Sequence, residues 1–112
     1  MAGRYNIVRT QGDTFTLSFT VATDGVAWDL STYTCRMQVR RSTSATTTLL
    51  DLESPTDITL TSLGGVSITA SASVMSDLPV GKWVYDIELE SGGGEVTTIL
   101  SGRFIVQAEV TA

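Results

Sequence analysis

Apolar and polar residues alternate with a period of two along most of this chain. Across residues 13–21, Phe15, Leu17, Phe19 and Val21 are separated by Thr and Ser. Successive side chains of an extended backbone point to opposite sides, so this pattern describes a strand packed on one face and wet on the other. Tyr33, Cys35, Met37 and Val39 form a second stripe, opposite Arg36, Gln38 and Arg40. Trp83, Tyr85, Ile87 and Leu89 form a third, opposite Asp86, Glu88 and Glu90; Phe104, Val106, Ala108 and Val110 form a fourth. These four stripes are the expected core, with Phe15, Phe19, Trp83, Tyr85 and Phe104 sharing it.

Shorter runs supply the remaining strands. Residues 5–9 read as a first edge strand, 47–52 and 66–70 as strands in the middle of the chain, and 95–100 as one near the end. Turn chemistry falls between them: Asp24-Gly25, Gly64-Gly65 and Ser91-Gly92-Gly93-Gly94, the last joining two alternating runs as a hairpin. Gly102 is expected to mark a bulge or tight turn ahead of the last strand. One segment breaks the alternation. Residues 71–78 open on Ser71, an N-cap residue, and place Val74, Met75 and Leu78 at helical spacing before Pro79 and Gly81 end the run. This predicts a single helical turn crossing between sheets. Short strands with turns about every 8 to 12 residues predict an all-β, immunoglobulin-like antiparallel β-sandwich of about seven to nine strands with that one helical turn. An antiparallel barrel is the structural alternative. Residues 41–46 and 54–57 read as exposed loops.

The composition agrees with a packed domain. At 112 residues, 42% hydrophobic and 17% charged, the chain can bury a core without metal or disulfide staples. Its longest apolar runs are far short of the ~20 residues that cross a bilayer, so no membrane role is expected. The first residues lack the apolar segment of a secretory signal. A net charge of −5 argues against nucleic acid, whose binding needs a concentrated basic face. The one candidate is the stripe of Arg36 and Arg40 around Gln38, which reads more naturally as a solvated or partner-facing strand.

Chemistry is sparse. The chain has no His, the commonest general base and metal ligand. The single Cys35 lies in a core stripe with no base evident beside it. Asp86, Glu88 and Glu90 share an exposed strand face, and the density of carboxylates needed for calcium is missing from the loops. Gly12-Asp13 and the Gly92-Gly93-Gly94 run lack the Lys and Ser/Thr of a phosphate loop. No cofactor, metal or catalytic residue is expected.

Several runs nevertheless have a familiar order. Gln11-Gly12-Asp13-Thr14-Phe15, Asp24-Gly25, Trp28-Asp29-Leu30-Ser31-Thr32-Tyr33-Thr34 and Arg36-Met37-Gln38-Val39-Arg40 are followed by two more. These are Leu78-Pro79-Val80-Gly81-Lys82-Trp83-Val84-Tyr85-Asp86-Ile87-Glu88-Leu89 and Gly102-Arg103-Phe104-Ile105-Val106. Taken together they resemble small structural proteins of tailed bacteriophages and the N-terminal immunoglobulin-like domain of upper-baseplate proteins. The resemblance implies a virion component assembled in the host cytoplasm, acting as an adaptor, collar or decoration subunit in the tail, baseplate or fibre-attachment region. Its partners would be other phage structural proteins or further copies of itself. Tyr5 and Ile7 on the first edge strand, the final strand as a second edge, and the outward apolar Val84 and Ile105 are the candidate docking residues, with Arg36 and Arg40 beside them. A receptor- or carbohydrate-binding module using Trp28 or Tyr33, and an assembly chaperone, are the competing expectations.

Overall fold

A computed structural model describes residues 3–108 as an all-β sandwich of the immunoglobulin-like kind. In chain order its elements are β1 (Gly3–Arg4), β2 (Ile7–Thr10), β3 (Phe15–Thr20), β4 (Ala22–Thr23), β5 (Val26–Ala27), β6 (Thr34–Arg40) and β7 (Leu50–Glu53). They continue with β8 (Ile58–Leu60), β9 (Gly65–Ala70), the helical turn α1 (Ala72–Met75), β10 (Gly81–Glu90) and β11 (Val96–Gln107). The larger sheet runs β1-β11-β10-β6-β7, with β2 also on β11; the smaller is β3-β9-β8. β4 and β5 form a separate small hairpin.

The period-two stripes become the core between the sheets. Phe15, Cys35, Met37, Val39, Tyr85, Ile87, Leu89, Phe104 and Val106 are buried, joined by Leu50, Leu52, Ile58, Val66 and Ile68. Phe15 and Phe104 meet edge to face with ring centroids 5.5 Å apart, and Tyr85 meets Phe104 at 6.3 Å. Phe19 and Trp83 pack on this core but stay half-buried.

Local chemistry explains the connections. Asp24 and Gly25 take φ of 51° and 79°, the pair of positive values that a two-residue type I′ hairpin requires. Asp29 Oδ1 accepts from the Ser31 amide at 3.0 Å, turning the chain so that Leu30 drops into the core. Ser71 Oγ accepts from the Val74 amide as the N-cap of α1, whose Met75, with Leu78 just beyond, is buried. This turn carries the chain from β9 in one sheet to β10 in the other.

Several expectations are corrected. The first strand divides: Tyr5 and Asn6 lie between β1 and β2, and both strands pair parallel to β11. Ile7, expected at an exposed edge, is 0% exposed and faces the core. The final strand is not an edge, because β10 lies on one side of it and β1 and β2 on the other. β11 also runs unbroken through Gly102; the irregularity lies instead at Ile99, where the register with β10 shifts between Ile87 and Glu88. A Cβ at Gly102 would collide with the Tyr5 carbonyl, so glycine there permits close backbone approach. The strand expected at 47–52 begins only at Leu50, and β8 was not anticipated. Ala108 is exposed, since it lies past the end of β11; Val110 lies outside the described residues.

Candidate docking surfaces

Because Tyr85, Ile87 and Leu89 point inward, Val84, Asp86, Glu88 and Glu90 stand on the outer face of the larger sheet. Strand register then writes that face as rows. One row aligns Val8, Ile105 and Lys82 across β2, β11 and β10. The next aligns Arg103, Val84 and Arg40, and a third Ser101, Asp86, Gln38 and Asp51. Val84 and Ile105 are half-buried, outside the core, whereas Val8 is 44% exposed. Three apolar side chains in adjacent rows therefore sit among charges on an otherwise polar sheet.

The arginine stripe is answered within the sheet. Arg36 Nη2 donates to Glu53 Oε1 at 3.3 Å, and its Nε lies 3.9 Å from Asp51. Arg40 donates to Gln38 Oε1 at 2.8 Å and to the Ala45 carbonyl at 3.1 Å. β7 thus places two carboxylates against the stripe, a pairing that strand β6 alone does not reveal. A shallow groove of about 390 Å³ crosses this face beside Val84, with Arg4, Arg40 and Arg103 above Asp86 and Glu88. Arg4 and Arg103 were not anticipated as surface features. Only the pairing of β1 and β10 with β11 brings them beside Val84.

Tyr5 is 47% exposed, with its amide bonded to Ser101 O and its carbonyl taking the Tyr85 hydroxyl. Its ring borders a second groove, of about 530 Å³, where the two sheets part between β3 and β11. Leu17, Phe19, Ile99, Leu100 and Trp28 line it, and all are half-buried. Trp28 donates its indole N–H to Thr23 Oγ1 at 2.9 Å and tilts against Tyr33 at 6.2 Å, so both aromatics are engaged by the protein itself.

Among the described residues no three His, Cys, Asp or Glu side chains converge as a metal site would require. Burial pushes the Cys35 thiol up to about 12, keeping it protonated and a poor nucleophile at neutral pH. Burial, with Tyr5 nearby, likewise pushes Tyr85 up to about 12. The Ser31 hydroxyl and amide hold the Asp29 carboxyl below its ordinary value, which serves a turn.

The chain matches no family model and no curated protein. Among solved structures it is similar to a candidate glycoside hydrolase of Bacteroides vulgatus, at 16% identity and a TM-score of 0.50. That match covers 92% of this chain but only 16% of the other, so the likeness is one of fold, to a small part of a much longer protein.

Proposed function

We propose that this chain is a non-enzymatic structural protein of a bacteriophage virion, an adaptor in the tail, baseplate or fibre-attachment region that docks by protein–protein contacts. The observation that carries the docking role is the outer sheet face, where the exposed Val8 and the half-buried Ile105 and Val84 stand near Arg4, Arg103 and Arg40. Apolar side chains held in register by a rigid sheet, with a charged surround, suit a partner surface: burial supplies affinity and the charges set orientation. The virion assignment is supported by the order of sequence runs described above.

Quantitative mass spectrometry of purified particles of the encoding phage tests the assignment. Recovery at six copies or a small multiple of three or six per particle supports a tail or baseplate subunit. A hundred copies or more would move the chain to the capsid surface or tail tube, and absence would reject the structural role. Within particles, the Val84→Glu/Ile105→Glu double variant is expected to be excluded while melting as the parent does, since neither residue belongs to the core.

A further inference from the structure

In a seven-stranded immunoglobulin sandwich, the sheet that pairs strands B, E and D carries a fourth, strand A, beside B. Here the corresponding sheet is β3-β9-β8, and the chain ahead of β3 pairs instead with β11 in the opposite sheet. Among the described residues no strand lies beside β3 on its other side. The Thr69 amide donates to Asp57 O, on the side away from β3, at 3.0 Å. Thr16 and Thr69 are therefore a pair that exchanges no backbone bonds, and Thr16, Ser18 and Thr20 turn their N–H and C=O groups to the free edge. Arg9 Nη2 takes the Thr16 carbonyl at 3.3 Å. The backbone groups of Ser18 and Thr20 have no partner among the described residues.

This edge forms one lip of the apolar groove between the sheets. Leu17, Phe19 and Trp28 stand on its side; Ile99 and Leu100 stand opposite. Edge and groove together specify what fits. Amides spaced along a strand call for another strand, which a helix or a lipid cannot replace. An added strand sends alternate side chains inward, and the walls that would receive them are apolar.

We infer that this seam receives an extended peptide segment of another protein, paired along β3, its alternate apolar side chains filling the groove against Phe19 and Ile99. Covering residues 16–20 takes about five residues of partner. The net charge of −5 favours basic residues at the ends of that segment over acidic ones. A second copy of β3 is a poorer occupant, since its own Leu17 and Phe19 already face its own seam. The inference rests on the docking role proposed above and gives the partner its form.

The test titrates the full chain with the peptide acetyl-Lys-Thr-Val-Thr-Ile-Thr-Val-Lys-amide, alongside variants of shifted register. Saturable binding is expected, with at least tenfold slower amide exchange at Ser18 and Thr20. Ser18→Pro should weaken it tenfold or more; the Ser18 amide makes no bond among the described residues, so an edge proline is tolerated there. Should that variant fail to fold, methylating alternate backbone nitrogens of the peptide removes its donors without touching the protein, and the same loss is expected. Equal binding of the methylated peptide, shifts centred on Val84 and Ile105, or no binding across the set would overturn the inference. So would a dimer of the chain that Ser18→Pro abolishes, which would assign the edge to a second copy. Absence of the chain from particles overturns the virion role alone, because peptide binding is read on the isolated protein. Particles that incorporate Ser18→Pro normally, with no seam binding in solution, overturn this inference and leave the virion role standing.

Discussion

The two ends of the space between β3 and β11 are built from the same pair of strands and finish very differently. At one end Phe15 and Phe104 are 0% exposed, in edge-to-face contact, with Ile7 and Val106 buried beside them. At the other, Phe19, Leu17, Ile99 and Leu100 remain half-buried around a groove. The residues are equally apolar. What differs is the neighbour: β2 lies along residues 104–107 and seals the first end, whereas β1 reaches β11 only at Leu100 and Ser101. Burial here is set by which strand lies alongside.

The largest effect should come from the closed end. Phe104→Ala removes an aromatic from full packing and is expected to cost ~3–5 kcal/mol in denaturant unfolding. At the open end, Phe19→Ala should cost about half as much, roughly 1.5–2.5 kcal/mol, because solvent already reaches that ring. Equal losses would show that the two ends are equally packed and break the comparison. Tyr85→Phe, which deletes the hydroxyl donor to Tyr5 O at the border between the ends, should cost about 1 kcal/mol at neutral pH.

That variant also sharpens a pH prediction. Tyr85 and Cys35 both ionise near 12 in the fold, against ordinary values of 10.0 and 9.0. Each raised acid favours the folded state while neutral, so its contribution is complete below its unfolded value and lost as pH rises towards 12. From neutral pH the melting temperature should therefore hold steady up to about pH 9 and fall between about 9 and 12, with a shallower fall in Tyr85→Phe. The smallest effect belongs to the outer face: Arg36→Ala loses only exposed ion pairs with Glu53 and Asp51, and should change stability by less than ~1 kcal/mol. A larger loss would mean that the outer charge network, and not the closed end alone, holds the sheet.

Much of this architecture was legible because it depends on local rules. Strand β6 and its stripe follow from alternation, the β4–β5 hairpin from Asp24-Gly25, and the helical turn from Ser71 and the proline beyond it. The misread positions have a common cause. The edge strand expected at residues 5–9 does lie at the margin of the larger sheet among the described residues, but Ile7 faces the core because β2 pairs with Phe104 and its neighbours from far along the chain. Likewise the carboxylates of Asp51 and Glu53 beside Arg36 come only with β7 and are not written in the stripe of Arg36 and Arg40. Ile99 fits no stripe because the bulge beside it takes it out of register with β10.

By itself, then, the sequence determined which residues extend, which face of each strand is apolar and where the chain turns, since period, turn residues and caps act within a few residues of one another. Only the tertiary structure decided the order of strands in each sheet. With that order came the burial of Ile7, the carboxylates set against Arg36, the apolar side chains of Val8, Ile105 and Val84 in adjacent rows, and the edge of β3, unpaired among the described residues, beside its groove. Those features arise from pairing between segments separated in sequence, from Arg36 with Glu53 to Ile7 with Phe104, and no local pattern records which strand will lie beside which.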